Sequence, residues 1–259
     1  MTSEPVVPPE VESMWRMVLT EGHRSKYAFL PSSPRCVGCM EPFGGIGGRI
    51  MSLIGHRRSR KNPHMCNLCD DVLPAGGAEV DVAILFADVR GSTALAEKLG
   101  AKAFAETLNR FYHISTEILI SHSAMVDKMV GDEVMALFLP SLCGGEHRRR
   151  AAESAAAITR AIAKERIGDG TLPVGIGVHA GHAFVGKIGT ASVHDFTALG
   201  DTVNTAARLQ AEAAAGEVVV SEEVYQAAAE LFPGAERRDA ALRGKAEPLP
   251  IRVFRPAAA

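Results

Sequence analysis

The feature that most constrains this chain is what begins at residue 80. A strand-length apolar run, residues 80–87, ends on Asp88 and turns through Gly91 into a helical stretch. From there to residue 254, strand-like and helix-like patterns alternate, and such a chain closes only as a sheet layered with helices. The spacing predicts a helix over 93–99 with Ser92 as its cap, and a longer helix over 101–121. It predicts strands over 124–129 and 133–139 around the turn Val130-Gly131-Asp132, an alanine-rich helix over 148–165 and a strand over 173–180. A helix over 202–210, a strand over 218–221, a helix over 222–230 and a strand over 249–254 complete the series. Hairpins mixed with crossovers indicate an α+β fold rather than a doubly wound parallel sheet. Before residue 79 the composition shifts to proline and glycine. Only residues 10–22 read as a helix, with Val11, Met14, Trp15 and Val18 at helical spacing. The reading is therefore an N-terminal helical segment (1–30), a cysteine-bearing module (31–78) and a larger domain (79–255).

Charge and hydrophobicity narrow the functional classes. Lys and Arg number 28 and Asp and Glu 30, a net charge of −2, without the basic excess of a dedicated nucleic-acid binder. The stretch His56-Arg57-Arg58-Ser59-Arg60-Lys61 is short enough to be a solvated loop. With 47% hydrophobic and 22% charged residues, a wholly disordered chain is excluded. The longest apolar runs, 82–87 and 134–139, fall far short of the roughly 20 residues of a membrane span. Glu4, Glu10 and Glu12 among early prolines do not make a secretory signal. A soluble cytoplasmic protein is the expectation.

Four of the five cysteines form two pairs, Cys36-Val-Gly-Cys39 and Cys66-Asn-Leu-Cys69, with 26 residues between them. Without an export signal, such pairs read as metal ligands rather than disulfides. They can close a tetrahedral zinc site or hold an iron–sulfur cluster, and spacing does not choose between them. The run Pro42-Phe43-Gly44-Gly45-Ile46-Gly47-Gly48 would let backbone approach sulfur closely. Cys143 reads as a small buried or loop thiol.

Three further segments carry chemistry. In Phe86-Ala87-Asp88-Val89-Arg90-Gly91-Ser92-Thr93 a strand delivers a carboxylate beside the free N–H groups of a helix start, an arrangement suited to a hard cation and a phosphate. Asp127-Lys128-Met129-Val130-Gly131-Asp132 puts a second acid at a hairpin tip, four residues after a lysine. Two such acids can share two Mg²⁺ ions. In the segment from Phe196 to Arg208, Asn204 and Arg208 stand at i and i+4 on one helix face, an amide beside a guanidinium.

Together with Gly175-Ile176-Gly177-Val178-His179-Ala180-Gly181, these segments occur in the order of the class III nucleotide cyclase catalytic domain, which residues 79–255 resemble. The resemblance implies a ferredoxin-like βαββαβ core and assigns roles. Asp88 and Asp132 would hold two Mg²⁺ or Mn²⁺ ions with the Val89 carbonyl, while Gly91, Ser92 and Thr93 would face the phosphates. Lys128 and Thr197 would read the base, Asn204 would orient the ribose and Arg208 would stabilise the transition state. Lys245, in Leu242-Arg243-Gly244-Lys245, matches the triphosphate-binding lysine. The resemblance also implies a head-to-tail homodimer whose two sites each draw on both chains. Threonine at 197, where many relatives carry aspartate, resembles the subgroup that includes bicarbonate-responsive adenylate cyclases. Lysine is donor-only and threonine can accept, which matches the N1 acceptor and 6-amino donor of adenine. The expected reaction is attack of the ribose 3′-oxygen of ATP on the α-phosphorus, expelling pyrophosphate. The alternatives are a guanylate cyclase and a non-catalytic nucleotide-sensing module on the same fold. The second would be expected to lack an acid or the arginine, and all are present.

Overall fold

A computed structural model describes residues 7–255 apart from 61, 168, 169, 191–193 and 246. Glu4 and Lys61 thus lie outside the described residues. The chain runs α1 (Pro9–Thr20), α2 (Gly45–Leu53), α3 (Asn67–Val72), β1 (Gly76–Val89), α4 (Ser92–Leu99), α5 (Ala101–Ser121), β2 (Met125–Val130) and β3 (Glu133–Phe138). It continues with α6 (Pro140–Cys143), α7 (His147–Ile162), the short pair β4 (Arg166–Ile167) and β5 (Gly170–Thr171), β6 (Val174–Gly189) and β7 (His194–Leu199). The last elements are α8 (Asp201–Glu212), β8 (Val218–Ser221), α9 (Glu222–Ala227), β9 (Glu236–Ala240) and β10 (Leu249–Phe254). Two compact units emerge: Met1–Val82 with Leu139–Glu146 and Gly181–Gly200, and Ala83–Phe138 with His147–Ala180 and Asp201–Ala259.

In the second unit the strand order is β2-β3-β1-β6-β8-β10-β9. The path β2-β3-β1-β6, with α4 and α5 before β2 and α7 before β6, is the expected βαββαβ arrangement. β1 pairs antiparallel with β3, Ala83 opposite Phe138 through Asp88 opposite Glu133, and β6 pairs parallel with β8. Residues 82–87 are buried without a break, which is why their sequence reads as a continuous apolar run rather than an alternation. α5 buries Thr107, Phe111, Ser115 and Leu119, one residue per turn, and packs against α7. α7 presents Ala151, Ala152, Ala155 and Ala156 to the core, small side chains that permit close approach. A second cluster gathers Leu209, Val219, Leu242, Ile251 and Val253. Each large apolar side chain buried in these clusters contributes about 1.5–3 kcal/mol.

The first unit holds the cysteine module and the β6–β7 hairpin, in which Phe184 pairs with Leu199 through Gly189 with His194. α1 buries Trp15, Val18 and Leu19, and the Trp15 ring lies 5.9 Å from that of Phe196.

Three local expectations are corrected. Ser92 is not the cap of α4: Gly91 holds that position at φ +65°, a left-handed conformation glycine adopts without cost, and Ser92 is already helical. The glycine run after Cys39 is not a loop. It opens α2, where side chains at Gly44 and Gly47 would strike the carbonyls of Ser33 and Pro31. The strand expected over 173–180 extends to Gly189 and is followed by β7.

Candidate active site and metal centre

β1 and β3 bring the two acids together. The Val89 N–H donates to the Asp132 carbonyl at 3.2 Å, just past the last ladder pair, Asp88 with Glu133. Burial pushes the Asp88 carboxyl above its ordinary range; the Asp132 charge pushes the same way, and Arg90, 3.7 Å from the Asp88 carboxylate, pulls back. Glu133 is raised by burial and by the same two acids. Crowded half-buried carboxylates disfavour their own charge, and a hard cation with oxygen preference removes that conflict. The donor set fits Mg²⁺ or Mn²⁺. Sequence reasoning missed Arg90, whose side chain donates to the Gln210 carbonyl and whose N–H donates to Pro173 at 2.6 Å. Nothing in the local pattern around residue 90 signalled a partner 120 residues away.

Gly91, Ser92 and Thr93 stand at the start of α4, and a side chain at Gly91 would meet open space. Lys128 sits on β2 just after a bulge. Its side chain is 40% exposed and its ammonium lies 3.1 Å from Asp127, whose side chain is fully buried and which the sequence did not single out. On α8 the buried face is Thr202, Thr205, Ala206, Leu209 and Gln210, which leaves Asn204 exposed and Arg208 half-buried on the other side. The Arg208 Nη1 is buried without a hydrogen-bond partner, and Gly244 lies close to its guanidinium. An orphaned guanidinium donor is costly unless an anion completes it. Lys245 is held by the Asp201 carboxylate, which the pairing keeps below its ordinary range. Thr197 belongs to the first unit, 8% exposed on β7.

The four predicted cysteines do meet. All their sulfurs lie within 4.8 Å of one another, with Cys39 and Cys66 3.7 Å apart. Backbone N–H groups of Cys66 and Cys69 donate to the sulfurs of Cys36 (3.2 Å) and Cys66 (3.4 Å). Hydrogen bonds, first from Cys36 and then from Cys39 and Cys69, hold the Cys66 thiol far below its ordinary range. The glycine that allows this closeness is Gly38, inside the first knuckle, where a Cβ would lie 2.9 Å from the Cys69 sulfur. Cys143 is buried on α6. Arg57, Arg58 and Arg60 are exposed, with the Arg58 guanidinium laid over the Phe43 ring at 5.2 Å. Among the described residues, no helix is long and apolar enough to cross a membrane.

Comparison with known proteins adds the family. The model of the adenylate and guanylate cyclase catalytic domain matches residues 77–252. Among solved structures, the chain is similar to the adenylyl cyclase CyaB from P. aeruginosa, with 28% identity, a TM-score of 0.58, and coverage of 68% of this chain and 94% of that one. It shares its fold with the guanylate cyclase domain of RhGC from Catenaria anguillulae, solved in complex with GTP, at 22% identity, a TM-score of 0.57 and coverage of 67% and 95%. The uncharacterized protein Rv1318c of Mycobacterium tuberculosis is 33% identical over 161 residues, which is 60% of this chain and 28% of the relative. The chain spans about a quarter of the length of the curated relatives it matches.

Proposed function

We propose that this chain, which belongs to the adenylate and guanylate cyclase catalytic domain family, is an adenylate cyclase that forms 3′,5′-cyclic AMP and pyrophosphate from ATP in a homodimer with shared sites. The observation that carries the chemistry is the convergence of Asp88 and Asp132, whose mutual repulsion a divalent cation would relieve. Ions held there would supply Lewis-acid charge to the triphosphate and the ribose 3′-hydroxyl. The protein's own contribution is positional. The unpartnered Arg208 Nη1 would donate to a phosphoryl oxygen as charge builds on it, a donor set in advance for the transition state. Asn204, one helical turn earlier and exposed, would orient the ribose. Lys245 would exchange the Asp201 carboxylate for a phosphate, one anionic partner for another. The backbone at Gly91, Ser92 and Thr93, at the start of α4, would receive the remaining phosphate oxygens.

Lys128 carries the choice of ATP over GTP. Its ammonium can only donate; adenine N1 accepts, whereas guanine presents N–H there. Thr197 would accept from the 6-amino group. The Lys128→Glu, Thr197→Cys variant is expected to lose ATP turnover and to raise the GTP/ATP ratio of kcat/KM by at least about tenfold, as measured by assay of both cyclic products. An unchanged ratio would mean that neither residue touches the base.

One hairpin supports the shared site. Lys128 and Asp132 flank the β2–β3 turn, and in the family arrangement they serve different sites of the dimer. Met129 and Val130, exposed on the same strand, give it an apolar surface of the kind a partner copy covers.

At the four-cysteine site we infer a single zinc ion. Tetrahedral Zn–S bonds of about 2.3 Å set sulfurs about 3.8 Å apart, close to the 3.7 Å between Cys39 and Cys66. Iron–sulfur clusters distribute thiolates over several irons and need wider separations. Purified protein is expected to hold about one zinc per chain and to lack visible absorption. Iron with acid-labile sulfide would refute the assignment.

A further inference from the structure

Asp70, the residue after the ligand Cys69, is paired with Lys187 of β6 at 2.9 Å, and the two side chains are 2% and 4% exposed. Burying two charges costs several kcal/mol per ion unless hydrogen bonds satisfy both. Here they do. The Lys187 ammonium also donates to the carbonyls of Asp70 and Leu73, the latter at 3.0 Å, at the end of α3 where helical carbonyls lack partners of their own. The Asp70 carboxylate accepts from Ser59 Oγ at 2.5 Å and lies 3.3 Å from His194 Nε2 of β7. One carboxylate thus holds both strands of the β6–β7 hairpin.

The register of that hairpin shows what is being held. Lys187 stands opposite Phe196, Gly186 opposite Thr197, and Gly189 opposite His194. Trp15 of α1 packs on Phe196. The backbone leading into the buried Thr197 is therefore pinned at two points, by Trp15 at Phe196, one position before it, and by Asp70 at His194, three positions before it. Across the contact, α3 begins on the ligand Cys66 and contains the ligand Cys69.

We propose that Lys187 is a positioning residue for nucleotide recognition, and that through its pairing with Asp70 the four-cysteine module is the support that fixes Thr197 in place. The proposal rests on the reading of Thr197 as a base-reading residue. A recognition site must be held within about 0.5 Å of its productive geometry, and in the proposed reading Thr197 meets the base edge rather than the reacting phosphate. A loosened support therefore costs base discrimination first.

The test uses the full chain with Asp70→Asn and Lys187→Met together, which removes both charges and leaves neither stranded. The ATP/GTP ratio of kcat/KM is expected to fall about tenfold while kcat for ATP stays within about threefold. The emission of Trp15, the single tryptophan, should move to longer wavelength. Thr197→Ala is measured in parallel. If it leaves the ratio unchanged, the base-reading role is wrong. If it lowers the ratio and the double variant does not, Lys187 positions nothing and the proposal is overturned. Should the double variant fail to fold, His194→Ala carries the test: it removes only the half-buried partner and is expected to lower the ratio about threefold. No change in the ratio with that variant likewise overturns the proposal.

Discussion

Asp88→Asn and Asp132→Asn are each expected to lower cyclase turnover by at least about a thousandfold, equivalent to about 4 kcal/mol of transition-state stabilisation, without lowering the melting temperature of the metal-free protein. The two halves of this expectation come from one observation. Burial and the neighbouring acid already raise the Asp88 carboxyl, so the ionised pair is a strain on the fold. Neutralising one member relieves that strain while removing a ligand for the ions. A merely structural pair would behave in the opposite way, losing stability and keeping turnover. The measurements are cyclic-product assay at saturating Mg²⁺ or Mn²⁺ and thermal unfolding in chelator. Turnover within tenfold of the parent in either variant would remove the metal assignment.

Arg208→Ala is expected to be as inactive as Asp88→Ala, since an arginine at a transferring phosphoryl group is worth roughly 10³ or more in rate. Mixing the two inactive proteins is expected to restore activity. In a mixed dimer with shared sites, one site carries both lesions and the other carries none. Random assortment makes half the dimers mixed, each with one working site of two, so activity should return to about a quarter of the parent. Subunit exchange is verified with two affinity tags. Exchange without recovered activity would mean that each chain builds its site alone.

Much of the fold was legible because burial and periodicity agree. α5 occupies the expected 101–121 and β10 the expected 249–254, since each shows a clean apolar pattern and a sharp end. α2 was hidden by Gly45, Gly47 and Gly48, which propensity assigns to a loop but which here allow close packing against Pro31 and Phe43. β9, Glu-Arg-Arg-Asp-Ala, is exposed over most of its length at a sheet edge, and a strand with no buried face has no alternation to find. The far half of β6 and β7 escaped because glycine and histidine interrupt the pattern. Of the proposed site, motif spacing singled out Asp88, Asp132, Asn204 and Arg208, and the structure sets Asp88 beside Asp132 and Asn204 one turn before Arg208 on α8. Arg90 and the Asp70–Lys187 pair were invisible, because a partner far along the chain leaves no local trace.

That last pair also orders events at the ribosome. The ligand set of the four-cysteine site is complete once residue 69 has been made, whereas Lys187 follows Asp70 by 117 residues. At roughly 5–20 residues per second, the nascent chain spends on the order of ten seconds with every thiolate present and the Asp70 carboxylate still in water. After β6 arrives, the residue next to Cys69 is locked into a buried, hydrogen-bonded charge pair. Chain direction alone thus separates the completion of the thiolate set from the completion of the charge pair beside it, and the sulfurs are in place before the strand that carries Lys187 is made.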